Sequence, residues 1–185
     1  RALIYFMMQQ RYGGVPLVDI VIDPFSEIDK KYTQRSTEEA IADFIDTELE
    51  SAVALLTEDI SKPGAFNKWS AYTLKARANL WSASIAKYGT VQINGLVGIP
   101  SARADEFFTK ASSAANMVIL SGKYSLYDKY ANKATNYQKL FIDQNNPEVI
   151  WRVSFNGTTV RHAGKEWNGQ MKPSSWAGSS RQIPT

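Results

Sequence analysis

In the stretch Arg161-His-Ala-Gly-Lys-Glu-Trp-Asn-Gly-Gln170, followed by Ser174-Ser-Trp176, flat aromatic rings and hydrogen-bonding side chains crowd together. Trp167 beside Asn168 is the first candidate and Trp176 the second, with Arg161 and Gln170 as polar companions. Such a mix suits a neutral, polyhydroxylated ligand such as a sugar. Its C–H face can lie on an aromatic ring while amide and guanidinium groups bond its hydroxyls. The same tryptophans would serve to anchor a long loop, since an ordered loop needs apolar contacts of its own. Loops also carry function preferentially, so both readings stay open.

Other chemistries find less support. His162 is the only histidine and there is no cysteine, which excludes His-rich or thiolate metal sites and disulfides within this stretch. A Ser-His-Asp triad would have to run through His162, and no nucleophile elbow surrounds it. Asp43, Asp46, Glu48 and Glu50 could supply the two carboxylates of a glycoside hydrolase, but on an amphipathic helix they read as a solvated face. Asp143 and Glu148 flank a turn and suit capping. Asn156-Gly-Thr158 matches a glycosylation sequon and reads as a turn. Gly13-Gly14 is too short and too close to Pro16 for a phosphate loop. It ends a helix, with Gly13 supplying a left-handed stop and Val15, before proline, pushed into extended geometry.

The elements that position these residues are mostly helical. Residues 1–12 read as the second half of a helix, and 16–32 as a connection laid over it. Ser36-Thr-Glu-Glu39 forms a capping box ahead of a helix whose Ile41, Phe44, Ile45, Leu49, Ala52, Leu55 and Leu56 share one face. A third helix, 67–88, interleaves Ala71, Ala76, Ala78, Ala83 and Ala86 with large apolar residues, so close neighbours are expected on two sides. Asn94-Gly95 suits a type I′ turn in a hairpin-like Val91–Val97. Ser101 is expected to cap a fourth helix, 103–121, with Phe107, Phe108, Ala111, Ala115 and Val118 inward. A short helix is expected near 137–141 and a strand over Glu148–Phe155. Trp69, Trp81 and Trp151 lie on periodic elements and read as core. The fold class is therefore mainly α: tetratricopeptide-like hairpins over 1–155, then a long irregular segment, 156–185, of the same domain.

At 185 residues and 44% hydrophobic, the chain can bury the core of one domain. No apolar run reaches the roughly 18–20 residues that cross a bilayer. The formal charge of +3 is not gathered into a basic run, so nucleic acid is not an expected partner. The chain opens on Arg1 inside an apolar helical pattern and reads as the middle portion of a longer protein.

Several phrases, in order, carry a resemblance. Arg1-Ala-Leu-Ile-Tyr-Phe and Arg11-Tyr-Gly-Gly-Val-Pro-Leu-Val18 come first. Tyr32-Thr-Gln-Arg-Ser-Thr-Glu-Glu39 with Asp46-Thr-Glu-Leu-Glu-Ser-Ala52 and Leu55-Leu56 follow. Then come Ala71-Tyr-Thr-Leu-Lys-Ala-Arg-Ala-Asn-Leu-Trp81, Ser121-Gly-Lys-Tyr-Ser-Leu-Tyr127, Asn145-Asn-Pro-Glu-Val-Ile-Trp151 and Ile183-Pro-Thr185. Together they resemble the SusD/RagB family of surface glycan-binding lipoproteins of Gram-negative bacteria.

The resemblance implies a non-enzymatic protein without cofactor, anchored in the outer membrane by a lipid attached outside this chain. It would capture oligo- or polysaccharide and deliver it to a TonB-dependent, SusC-like transporter, with the helices contacting the transporter and less regular loops holding the glycan. No motif of the family transfers a sugar contact to a residue here. The alternative is a helical-repeat module that binds protein, and a glycoside hydrolase stands behind both.

Overall fold

The structure is a computed structural model that describes residues 1–18, 25, 34–62, 64–143 and 146–153. The chain divides into a unit of residues Arg1–Trp151 and a second, Arg152–Thr185; the elements below all belong to the first. They are α1 (Ala2–Tyr12), α2 (Glu38–Leu55), α3 (Lys68–Tyr88), α4 (Ala104–Leu120) and α5 (Lys133–Leu140). Two 3-10 turns, Ile93–Gly95 and Ser101–Arg103, lie between α3 and α4.

Helices α1 to α4 stack in chain order, α1 on α2, α2 on α3 and α3 on α4. One apolar cluster joins Ala2, Tyr5 and Phe6 of α1 to Ile41, Ile45 and Leu49 of α2, with Ala78 of α3 at its edge. A second joins Ala83 and Ala86 of α3 to Ile99, Ala104 and Phe107. The small residues of α3 thus meet neighbours on two sides, as their pattern predicts, and a small residue at each contact is what lets the backbones approach. Burial of each large side chain contributes about 1.5–3 kcal/mol. Phe107 and Ile41 are inaccessible to solvent.

The junction after α1 explains Gly13-Gly14. Gly13 has φ 67° but ψ −124°, a positive-φ conformation other than the left-handed helical one expected. A Cβ there would meet the Leu96 carbonyl oxygen at 2.5 Å, and one on Gly14 would meet that of Ser36 at 2.0 Å. Three strands of backbone converge at this point: the Gly14 N–H donates to Leu96 O (2.7 Å) and the Ser36 N–H to Val15 O (3.0 Å). Arg35 finishes α1 from outside, donating to the carbonyls of Gly14 and Tyr12 at 2.8 Å each.

Several local expectations shift. Thr37, not Ser36, caps α2, accepting from the Ala40 N–H at 3.2 Å, so the box is displaced by one residue and not reciprocated. Asn67 caps α3 through the Ser70 N–H at 2.9 Å. Ser101 does not cap α4 with its side chain; a 3-10 turn leads in, and its carbonyl accepts instead. Asn94-Gly95 does form a tight turn, closed by one Gln92–Val97 bridge. Leu55 is 86% exposed, and the last buried residue of α2 is Val53. In α4, Ala114 is buried in place of Ala115. Residues 148–153 pair with no strand among the described residues, and the N–H groups of Glu148 and Val149 turn back onto Asn146; residues 154 and 155 of the expected strand lie outside the described residues. Trp69 is buried as expected, but Trp81 and Trp151 are 36% and 40% exposed.

Candidate functional site

A hollow with aromatic walls runs beside α3. Ser70, Thr73, Leu74 and Arg77 recur at helical spacing and make one side. Residues 148–151 make the other, and Leu3 and Phe66 close the end. The groove holds about 420 Å³, within the range of small-molecule sites. A smaller hollow of about 260 Å³ continues it toward Arg1 and Glu48, sharing Leu3, Phe66 and Leu74. Phe66 meets Trp151 edge to face, with centroids 5.4 Å apart and planes at 71°. The indole remains partly open to solvent.

The 148–151 wall owes its position to side chains, not to a sheet. Asn146 donates to the Leu140 carbonyl at 2.6 Å and accepts the Glu148 N–H at 2.8 Å, which folds Asn-Pro-Glu into an Asx turn. Glu148 Oε2 accepts the Tyr127 N–H at 3.0 Å, and the Ser125 N–H donates to Pro147 O at 3.2 Å. Asp143 accepts from the Tyr127 hydroxyl at 2.6 Å and pairs with Lys129 at 3.2 Å. The Tyr127 hydroxyl, the Lys129 charge and the Lys139 charge hold the Asp143 carboxyl below its ordinary range. Asp143 and Glu148, expected to serve turn chemistry, thus also staple residues 125–129 to the loop.

In the groove, Thr73 Oγ1 donates to the Trp69 carbonyl at 2.9 Å and Ser70 Oγ to Asn67 Oδ1 at 3.0 Å, leaving their lone pairs. Arg77 is exposed and makes no hydrogen bond or ion pair with any described residue. Glu148 is exposed too, and it does not pair with Arg77. One cation and one anion therefore flank an aromatic wall.

The acidic face of α2 is not simply solvated. Arg103 bridges Glu39 (2.5 Å), Asp43 (2.8 Å) and Glu106 (2.8 Å) while lying 4.9 Å over the Phe107 ring. Asp46 receives Asn79 at 2.8 Å, Lys75 at 3.0 Å and Lys110 at 3.3 Å. Burial works against its charge, but the bonds from Asn79 and Lys75 and the charges of Lys75 and Lys110 outweigh it and lower its pKa. Glu50 takes Lys75 and Glu48 takes Arg1. All four carboxylates considered for hydrolysis are held by cations, Asp46 and Glu50 by lysines of other helices. Among the described residues no group of three or more His, Asp or Glu could hold a metal ion, and no helix is long and apolar enough to cross a membrane.

Trp167, Asn168, Trp176, Arg161 and Gln170 lie outside the described residues, as do His162 and the Asn156 sequon. Sequence reasoning missed the Trp151–Phe66–Arg77 groove because Trp151 stands in an alternating apolar run that resembles a half-buried strand. The Asn-Asn-Pro turn just before it was the available signal that the run would leave the core.

Comparison with solved structures covers 91% of the chain. One SusD-like protein of Bacteroides fragilis superposes with a TM-score of 0.65 at 24% identity. A SusD superfamily protein of the same bacterium gives 0.64 at 18%. This chain has the SusD-like fold. It spans 28% and 31% of the lengths of those two proteins, so what it shares with them is one section of the SusD-like architecture. Some of the phrases that carry the resemblance in the sequence meet in space within that section: the Gly13–Val15 junction with Ser36, and Ser125 and Tyr127 with Pro147 and Glu148. No family model matches the chain, and no curated protein sequence does.

Proposed function

We propose that the protein belongs to the SusD/RagB family and captures oligo- or polysaccharide at the cell surface without cleaving it. The captured glycan passes to a TonB-dependent, SusC-like transporter, with the protein held at the outer membrane by a lipid attached outside this chain. The observation that supports this reading most is the SusD-like fold over 91% of the chain, together with the ordered phrases from Arg1 to Thr185. In the same reading, Trp167 and Asn168, with Trp176, Arg161 and Gln170, contribute to glycan contact from a loop. Chemistry is consistent with a neutral ligand, because the +3 charge is dispersed and is not gathered into a patch.

A glycan array probed with the protein tests the reading, alongside a reducing-end assay on every glycan retained. Retention of a neutral oligosaccharide with no reducing ends released is the expected result. Absence of any retained glycan, or steady release of reducing ends, would overturn it. Co-purification from outer membranes with a TonB-dependent transporter is expected for the delivery step; a soluble intracellular partner in its place would count against it.

A further inference from the structure

We infer that the groove between α3 and residues 148–151 is a binding subsite for one or two neutral pyranose units, with Trp151 as the stacking surface. The inference rests on the glycan-capture reading and names a place for the ligand that no sequence motif indicates.

Four observations converge. First, the Trp151 ring is 40% exposed at the mouth of a 420 Å³ groove. Phe66 packs against it edge to face, which restricts the indole before a ligand arrives. A flat sugar face gains from such a preset ring, since little side-chain entropy remains to be lost on binding. Second, much of the lining is apolar, with Leu3, Leu74 and Ile150 contributed from different sides, which suits the C–H groups of a pyranose.

Third, the polar groups are of both kinds. Arg77 offers only donors and has no partner among the described residues; Glu148 offers an acceptor oxygen beyond the one that holds the Tyr127 N–H. A sugar hydroxyl is donor and acceptor at once, so vicinal hydroxyls can take the guanidinium on one side and the carboxylate on the other. Fourth, the two charges cancel. An anionic sugar would gain Arg77 but be repelled by Glu148, and a cationic one would meet the reverse, so the pair selects for a ligand without charge.

Other exposed aromatics lack this arrangement. Tyr137 on α5 and Phe141 just after it form an edge-to-face pair at 5.3 Å, but α5 buries no residue. Trp81 is exposed on α3 but does not line this groove.

The test is calorimetric titration of the protein with a neutral panel (maltohexaose, cellohexaose, xylohexaose and mannohexaose) and with hexagalacturonate as the anionic control. At least one neutral hexaose is expected to bind, with affinity unchanged between about 50 and 500 mM salt. Trp151→Ala is expected to weaken it about tenfold, Trp151→Phe to restore most of the loss, and Arg77→Gln to weaken it several-fold. Arg77 is an exposed residue of the groove wall, so its variant tests the site even if the tryptophan variant is poorly folded. Neutral-glycan affinity unaltered in both variants would overturn the groove while leaving glycan capture intact. Tighter, salt-sensitive binding of hexagalacturonate would overturn the neutral class. Failure of every hexaose to bind would overturn the groove as a neutral-pyranose subsite, while the glycan array decides the capture reading separately.

Discussion

Glu38 is an acid placed where a carboxylate is costly. It is 3% exposed in the first turn of α2 and accepts the Gly98 N–H at 2.7 Å. Burial raises its pKa above 4.5, and the bonds from Gly98 and Gln9 only partly offset this. A carboxyl with a raised native pKa binds more protons folded than unfolded, so its contribution to stability falls as pH rises through the window above 4.5. Asp46 has the opposite sign. Its pKa is lowered from 3.8, so what it contributes is present above that value and is lost as pH falls through the native one. Two urea series therefore diverge. Subtracting the Glu38→Gln curve from the parent should leave a stability term that declines from about pH 4.5 upward, and a flat difference would contradict the assignment. Asp46→Asn should cost about 1–3 kcal/mol at pH 7, and that gap should narrow below the ordinary carboxyl range. Neither role was legible in the sequence. Asp46 looks solvated on its own helix because Lys75, Asn79 and Lys110 reach it from two other helices, 29 to 64 residues away.

The helices themselves were legible, because period and punctuation are local. The apolar stripe of α2, the alanine-rich circumference of α3 and the stop after Tyr12 each follow from a few adjacent residues. What was lost is the point at which a neighbour ends: Leu55 continues the stripe of α2 but has no surface to meet, and Trp81 and Trp151 have the pattern of core residues without the cover. The close contacts should be sensitive to size. Ala83, inaccessible between α3 and α4, should lose about 1–3 kcal/mol on replacement by leucine. Ala54→Leu, on the exposed side of α2, should stay within about 0.5 kcal/mol. Equal effects in a denaturant titration would mean that α3 and α4 do not pack as described. Gly13→Ala combines a positive φ with a Cβ 2.5 Å from the Leu96 carbonyl, and should cost more than about 1 kcal/mol.

At the scale of the molecule, four stacked helices leave large apolar side chains facing solvent: Ile119 and Leu120 at the end of α4, Tyr137 on α5 and Phe141 just after it, Leu126 between them. Surfaces of this kind associate with one another or bind dyes. The 185-residue chain by itself is therefore expected to bind a hydrophobic dye and to show concentration-dependent mass in light scattering; a dye-silent monomer would mean that these side chains are covered. The fold class was readable at this scale because ordered phrases span the chain. The groove was not, because it joins Leu3, Phe66, α3 and residues 148–151, and only the stacking of α1 on α2 and of α2 on α3 brings those together.

The Tyr127 amide is bonded to a carboxylate of the groove wall and not to another backbone carbonyl. Its exchange with deuterated solvent is therefore gated by one side chain, Glu148, and not by the breathing of a helix. That makes a single backbone proton a clock for the wall. Its lifetime lengthens when Glu148 is pinned and shortens when the carboxylate swings away. The seating of Trp151 can thus be timed by exchange spectroscopy from the opposite side of the loop, at a residue that lies outside the groove lining.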